Sequence, residues 1–225
     1  MILLGSIVNG GAVVVGGLVG MFVGKLLPER LRTSVMAALS LMTIGIAVPG
    51  LLKSNNALIP IISMVVGTLI GELLDIDSAV NKLGEKLQKR FSGSRVTEGF
   101  VTGLLVFAVG ALAVMGPLES GLQHQHSLLF SKSVIDGVAS IVFASTMGLG
   151  VALSGITVFV VEGSIALLAS VVAPYLGEAV VNEITFVGSL LIVGISLNLL
   201  GVTKLRILNM VPAILLPILL CRFMG

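Results

Sequence analysis

Residues 134–174 read VIDGVASIVFASTMGLGVALSGITVFVVEGSIALLASVVAP, forty-one positions whose only charged members are Asp136 and Glu162. At about 1.5 Å per helical residue the run spans about 60 Å, enough to cross a hydrocarbon layer of about 30 Å twice. Ser154-Gly155 offers a reversal, which predicts one helix over 134–153 and a second over 156–173. Glu162 then lies near the middle of the second crossing. An ionisable group at that depth costs about 2.5–3.5 kcal/mol on insertion scales, so it requires a partner, a proton or a water-filled cavity.

The rest of the chain agrees. It is 56% hydrophobic and 11% charged, with a mean hydropathy of +1.16, where soluble domains carry about 25% charged residues. These values predict an all-α integral membrane protein, a polytopic bundle forming one domain over residues 1–225, with the lipid bilayer as its immediate partner. The net charge of +2 is too small, and too clearly placed beside apolar segments, to suggest nucleic-acid binding. Met1-Ile2-Leu3-Leu4 lacks a positive n-region and the apolar segment continues to Gly24, so this segment is expected to remain as a helix. Cys221 is the only cysteine, which excludes an intramolecular disulfide and a cysteine metal cluster.

Apolar segments fall at residues 2–24, 33–52, 57–74, 99–118, 134–153, 156–173, 184–200 and 207–221. That makes eight spans, or seven if the last is incomplete. Pro212 and Pro217 predict that this last segment is kinked, broken or re-entrant. With the N-terminus outside, ten of the thirteen Lys and Arg residues fall in cytoplasmic connections: Lys25, Arg30 and Arg32; Lys82, Lys86, Lys89, Arg90 and Arg95; Lys204 and Arg206. Lys53, Lys132 and Arg222 fall outside. The positive-inside rule therefore favours an even count with both termini outside. Within the third connection, Asp75 to Ser94, Ile76, Val80, Leu83, Leu87 and Phe91 recur at helical spacing. It reads as an amphipathic cytoplasmic helix, oriented on lipid or bound to a partner.

Gly16, Gly20 and Gly24 form consecutive small-xxx-small steps, repeated by Ser63, Gly67 and Gly71. Such faces let helices approach closely, against neighbours in the chain or in a homo-oligomer. Ser40-Leu41 with Gly45-Ile46 matches Ser189-Leu190 with Gly194-Ile195, and Gly5-Ser6-Ile7 matches Gly163-Ser164-Ile165. The pairs lie five spans apart, an odd offset, so spans 1–3 and 6–8 would form an inverted 3+3 repeat of the kind found in transporters.

Gly103, Phe107-Ala108-Val109-Gly110, Gly116, Gly121, Leu128-Leu129, Lys132-Ser133 and Asp136-Gly137 form a block of fixed spacings. Together with Gly5 to Asn9, Gly67 to Leu74, Leu197-Asn198 and Asn209 to Pro212, it resembles the YdfK/YqgA family over nearly the whole chain. The resemblance implies a bacterial inner-membrane protein from a family of unknown function to which a transport role is often attached. Val109 stands where the family pattern has Cys, which argues against a cysteine-dependent mechanism.

Glu162 leads the candidate pathway residues, because its own span offers no basic residue. It would hold a proton or bind a cation, or simply make one interhelical hydrogen bond when protonated. Lys132 and Asp136, four residues apart, would pair at the outer boundary if span five starts a turn early, either gating a pathway or clamping the helix. Asn9 and Asn198 either face one cavity or make cross-span hydrogen bonds, and Asn209 lies near a helix break at Pro212. Glu119, Glu178 and Glu183 read as outer-boundary residues, mostly solvated. His124 and His126 supply only two ligands, so no metal site is expected, and no cofactor motif is present. GxSG, GxGD, HExxH and phosphate-binding loops are missing, which argues against an enzyme. Two functional classes follow. One is a transporter or channel for a small solute or ion with Glu162 in its pathway. The other is a non-conducting structural or regulatory subunit that binds a partner through the Asp75 to Ser94 helix.

Overall fold

A computed structural model describes residues 1–26, 28–79, 82, 96–109 and 111–224. Among the described residues the regular structure is all helical, without strands. In chain order the helices are α1 (Leu4–Lys25), α2 (Glu29–Leu51), α3 (Leu58–Leu74), α4 (Val96–Ala108), α5 (Ala111–Gln123), α6 (Ser127–Met147), α7 (Leu149–Leu167), the short α8 (Ala169–Val172), α9 (Glu178–Leu199), the short α10 (Ile207–Met210) and α11 (Leu216–Met224). A 3-10 turn over Val211–Ile214 joins α10 to α11. Five of these are long and apolar enough to cross a membrane, and up to seven spans result if the bent pairs α4–α5 and α10–α11 each make one. An eighth span would require α3, a shorter apolar helix of 17 residues.

The decisive run folds differently from the expected division. Its reversal is at Gly148, not at Ser154-Gly155. Gly148 has φ +70° and ψ −143°, a conformation that glycine alone adopts without strain. Ser154 instead stays helical, donating its hydroxyl to the Val151 carbonyl at 2.7 Å. A Cβ on Gly155 would lie 2.8 Å from the Gly10 carbonyl, so this glycine serves helix contact and not the turn. At its other end α6 begins at Ser127, before the expected start at 134, so Lys132 lies inside it instead of in an outer connection.

Helix directions follow from which glycines meet which residues. Along α1, Gly5 meets Leu129, Gly16 meets Gly137 and Ser140, and Gly24 meets Ser145, so α1 and α6 are parallel. Gly10 meets Phe159 while Gly17 meets Ala152, so α7 is antiparallel to both. On α4, Gly99 meets Val151 and Gly103 meets Ser154, making α4 parallel to α7. In the other half of the bundle Gly50 packs on Ser189 and Thr185 of α9. Gly67 and Gly71 pack on Ala213 and Asn209, so α3 is antiparallel to the last bent pair. The expected close-packing glycines are thus all used within the chain.

Two apolar clusters hold the halves together. Val13, Met36, Leu39, Phe107, Phe143, Met147, Val151 and Val158 form one, with Phe107 and Phe143 edge to face at 6.3 Å. Ala47, Val101, Leu105, Leu191, Ile195 and Ile207 form the other. α6 shows what solvent this bundle expects. It buries Lys132, Ser133, Asp136 and Ser140 while Val134, Ile135 and Val138 are 60–69% exposed. A helix that turns its charges inward and its valines outward is stable only in lipid.

Two helix pairs are sharply bent. α4 and α5 meet at a 58° bend, where the sequence predicted one continuous span over 99–118. The last pair bends by 42°, as Pro212 and Pro217 predict, since neither supplies a backbone donor to the helix ladder. The expected amphipathic helix is helical at 76–79, but residues 80, 81 and 83–95 lie outside the described residues.

Candidate functional site

The buried face of α1 carries Gly5, Ser6, Asn9, Gly10, Val13, Gly16, Gly17, Gly20 and Gly24, spaced three and four apart. The glycines bring its backbone against α6 and α7, so that Asn9 reaches residues more than a hundred positions away. Its Nδ2 donates to Glu162 Oε1 at 2.9 Å, to Glu162 Oε2 at 3.1 Å and to Asp136 Oδ2 at 3.2 Å. Lys132 forms the i, i+4 ion pair with Asp136, stands 3.4 Å from Glu162 Oε1 and donates to the Phe107 carbonyl at 2.6 Å. Asn9 and Glu162 are fully buried, and Lys132 and Asp136 are each 6% exposed.

Four of the six candidate residues therefore converge. Glu162 does have a counter-ion, supplied by α6 and not by its own helix. Lys132 and Asp136 are paired, but inside the bundle and not at its boundary. Counting from the helix ends on the N-terminal face, Asn9 and Glu162 lie about 8 Å deep and Asp136 about 14 Å. The fifth member, the Phe107 carbonyl, was not read from sequence. It belongs to the last turn of α4, where carbonyls lose their intrahelical donors, so the break before α5 is what makes it available. The site holds two carboxylates and one ammonium, a formal charge of −1 unless a further positive charge joins it.

The other two candidates serve elsewhere. Asn198 does not share a cavity with Asn9. It lies at the far end of α9, where Nδ2 donates to the Leu205 carbonyl at 2.7 Å and Oδ1 accepts from Thr203 Oγ1 at 2.7 Å and Leu205 N at 2.9 Å. It pins the loop into α10, and it borders a cavity of about 570 Å³ with Asp77, Glu98, Lys204 and Arg206. Asn209 is fully buried; its Oδ1 accepts from the Asp77 amide at 2.7 Å. Nearby, Arg206 ties α10 to the end of α3, donating to Glu72 at 2.7 Å and pairing with Asp75. The Ser78 hydroxyl, and then the Arg206 guanidinium, hold the Asp75 carboxyl below its usual range.

Glu183 is also not the solvated boundary residue expected. It is 3% exposed, and its Oε1 accepts from the amides of Asn55 at 3.0 Å and Asn56 at 3.3 Å. The turn between α2 and α3 leaves those donors without helical partners, which is why a carboxylate is held there. His126 accepts or donates at 2.8 Å to Ser120, away from the cluster. Among the described residues no group of three or more His, Cys, Asp or Glu could hold a metal ion.

The comparisons agree with the resemblance in the sequence. The chain is 31% identical over 219 residues to "Uncharacterized membrane protein YdfK" of Bacillus subtilis (strain 168), covering 96% of this chain and 94% of that protein. It is 27% identical over 220 residues to "Uncharacterized protein YqgA" of Escherichia coli (strain K12), covering 95% and 94%. No solved structure matches. A family described as "Protein of unknown function (DUF554)" matches residues 4–222, and the chain belongs to that family.

Proposed function

We propose that the protein is a transporter or channel for a small solute or ion, with the Asn9, Lys132, Asp136 and Glu162 cluster in its pathway. The observation that carries this reading is the cluster itself: two carboxylates share one ammonium within lipid-spanning helices, beside the break of a discontinuous helix. A fold needs no such group for stability, since buried ion pairs are often replaceable by apolar residues at no loss. Polar groups at membrane depth beside freed backbone carbonyls are the usual make-up of an ion or substrate site.

The proposal includes eight spans with α3 crossing, both termini outside, and residence in a bacterial inner membrane, where the relatives' organisms point. It also includes the inverted repeat. In its favour, α1 and α7, α2 and α9, and α3 and the last bent pair each pack antiparallel. Ser40 and Ser189 are both twelfth in their helices, and Gly45 and Gly194 both seventeenth. The second match is out of register, Gly5 standing second in α1 and Gly163 fifteenth in α7. A homo-oligomer would use surfaces other than the glycine faces, and no catalytic role is proposed. The partner-binding alternative rests on the Asp75 to Ser94 helix, of which residues 80, 81 and 83–94 lie outside the described residues.

The test is ion flux in liposomes holding purified protein, wild type against Glu162→Gln, under Na⁺, K⁺, H⁺ and Cl⁻ gradients. Flux that the substitution abolishes is expected. Flux that it leaves intact would remove Glu162 from the pathway.

A further inference from the structure

Oxygen lone pairs outnumber positive charge in the cluster. The Lys132 ammonium donates to Asp136 and to the Phe107 carbonyl at 2.6 Å and forms a longer ion pair with Glu162 at 3.4 Å, so one positive charge is divided between two carboxylates. The two N–H groups of Asn9 are divided among three carboxylate oxygens. Asn9 Oδ1, on the same amide, is buried and accepts nothing. Ser6 Oγ, one turn earlier on the same buried face, is likewise buried and without a partner.

Turning the Asn9 amide over would not cure this, because it would aim Oδ1 at two carboxylates and remove their donor. A buried acceptor left unpaired costs about 1–3 kcal/mol, more when charged groups are involved. The unpaired amide oxygen and the uncompensated negative charge are two separate deficits, and one ligand meets both. It carries a single positive charge and accepts lone pairs from several directions. Carboxylate, amide and carbonyl oxygens are hard donors, suited to alkali and alkaline-earth cations and not to softer metals. One charge brings the cluster to neutrality, whereas a divalent ion would overshoot it in lipid, where net charge is costly.

We propose that the cluster binds one monovalent metal cation, held by the carboxylates of Asp136 and Glu162 and by Asn9 Oδ1, with the Lys132 ammonium as a tethered competitor for those carboxylates. The assignment rests on the reading of this cluster as a pathway element and gives that reading its ligand class. Displacement of Lys132 toward the Phe107 carbonyl, which it already contacts, would leave the acid pair to the incoming ion. Occupancy and the position of one side chain are thereby coupled.

The test measures binding without transport. Purified protein in detergent is unfolded by heat at constant ionic strength, with NaCl, KCl or LiCl replacing choline chloride, at two pH values. For wild type the midpoint should rise with the logarithm of one alkali cation's concentration, and Glu162→Gln and Asn9→Leu should flatten that dependence. Lys132→Met removes the competitor and should shift half-saturation at least ~10-fold lower, since a unit charge about 4 Å away contributes several kcal/mol at intermediate dielectric. Asn9→Asp, which adds a negative charge in nearly the same volume, should tighten binding in the same direction and decides the matter if the lysine variant does not fold. No alkali dependence in wild type and in Asn9→Asp would overturn the proposal. So would a midpoint that follows pH and ignores the metal, which would assign the missing charge to a proton. Cation binding without flux would leave this site standing and refute the transport reading; flux without cation binding would do the reverse.

Discussion

Replacing Lys132 by Met should be the most damaging single change at the cluster, and replacing Asp136 as well should restore much of the loss. The lysine side chain is 7% exposed and contacts three oxygens; without it, Asp136 and Glu162 face each other across Asn9 with no cation. Removing one partner of a buried ion pair costs about 3–5 kcal/mol, because the other charge is stranded. The unfolded chain in a membrane also finds partners for its polar groups, which favours the lower end, about 3 kcal/mol. Asp136→Leu alone leaves one ammonium facing one carboxylate and the Phe107 carbonyl, a balanced arrangement, and should cost about 1–3 kcal/mol. The double variant leaves Glu162 with the Asn9 amide, and with one proton it is neutral. Its cost should be close to that of Asp136→Leu. The coupling energy is then about 2 kcal/mol or more, in the range found for directly contacting residues. Reversible unfolding of the four proteins in one detergent, followed by denaturant titration, gives the cycle. Costs that add within about 0.5 kcal/mol would show that Lys132 and Asp136 act independently, and the charge-balance reasoning would fail with them.

Gly20→Leu and Gly11→Ala should part company although both alter α1. A Cβ at Gly20 would collide with the Ile141 carbonyl and stand 2.9 Å from Ala144 Cβ, whereas Gly11 has nothing within 4 Å. The first should lose about 1–3 kcal/mol or more from forced separation of α1 and α6, and the second should gain up to about 1 kcal/mol of helix propensity; thermal midpoints of similar size and sign would refute the packing. At the other face, Arg206→Gln should destabilise the junction of α3 and α10 in a pH-dependent way. Asp75 has its carboxyl held below the usual range in the folded protein, so the stabilisation is present above about pH 4 and fades as pH falls through the lower folded value. The difference in midpoint between wild type and variant should shrink below pH 4; a gap that persists at pH 2 would show that Asp75 is not its source.

The composition of the site was largely legible, but not its geometry. Glu162 stood out because a carboxylate in an apolar helix must be compensated, and Lys132 and Asp136 because a four-residue spacing pairs them on one helical face. The identity of the compensating group was not legible, since it comes from a different helix, and spacing within one helix says nothing about contacts between two. The reversal was misplaced for a related reason. Both Gly148 and Ser154-Gly155 offer glycine, and a sequence does not distinguish a glycine that turns the chain from one that lets a neighbouring backbone approach. Glu183 reads as an outer-boundary residue because it adjoins the apolar segment that starts at 184, while the orphan amides of Asn55 and Asn56, which hold it, belong to another turn. The partners of Asn198 are likewise not legible, since they lie in a loop of irregular backbone.

The glycines and the charges of this chain solve one problem. Asn9 can bridge two carboxylates only if α1 lies nearly backbone to backbone with both α6 and α7, and that approach requires a face without side chains. Gly5, Gly10, Gly16, Gly17, Gly20 and Gly24 provide it, and Ser6 and Asn9 occupy the same stripe. A larger residue at Gly10 or Gly17, which meet the α7 backbone at Gly155, Phe159 and Ala152, would push α1 from α7 and lengthen the Asn9–Glu162 hydrogen bonds, whose good N–H···O distances span only about 2.7–3.2 Å. Close packing also excludes lipid and water from the cluster, which strengthens every charge interaction within it. The small-residue stripe is therefore more than glue between helices. It fixes the spacing at which one amide and one ammonium can hold two carboxylates, and a change in helix spacing at α1 would alter the cluster's affinity for a cation before it altered the fold.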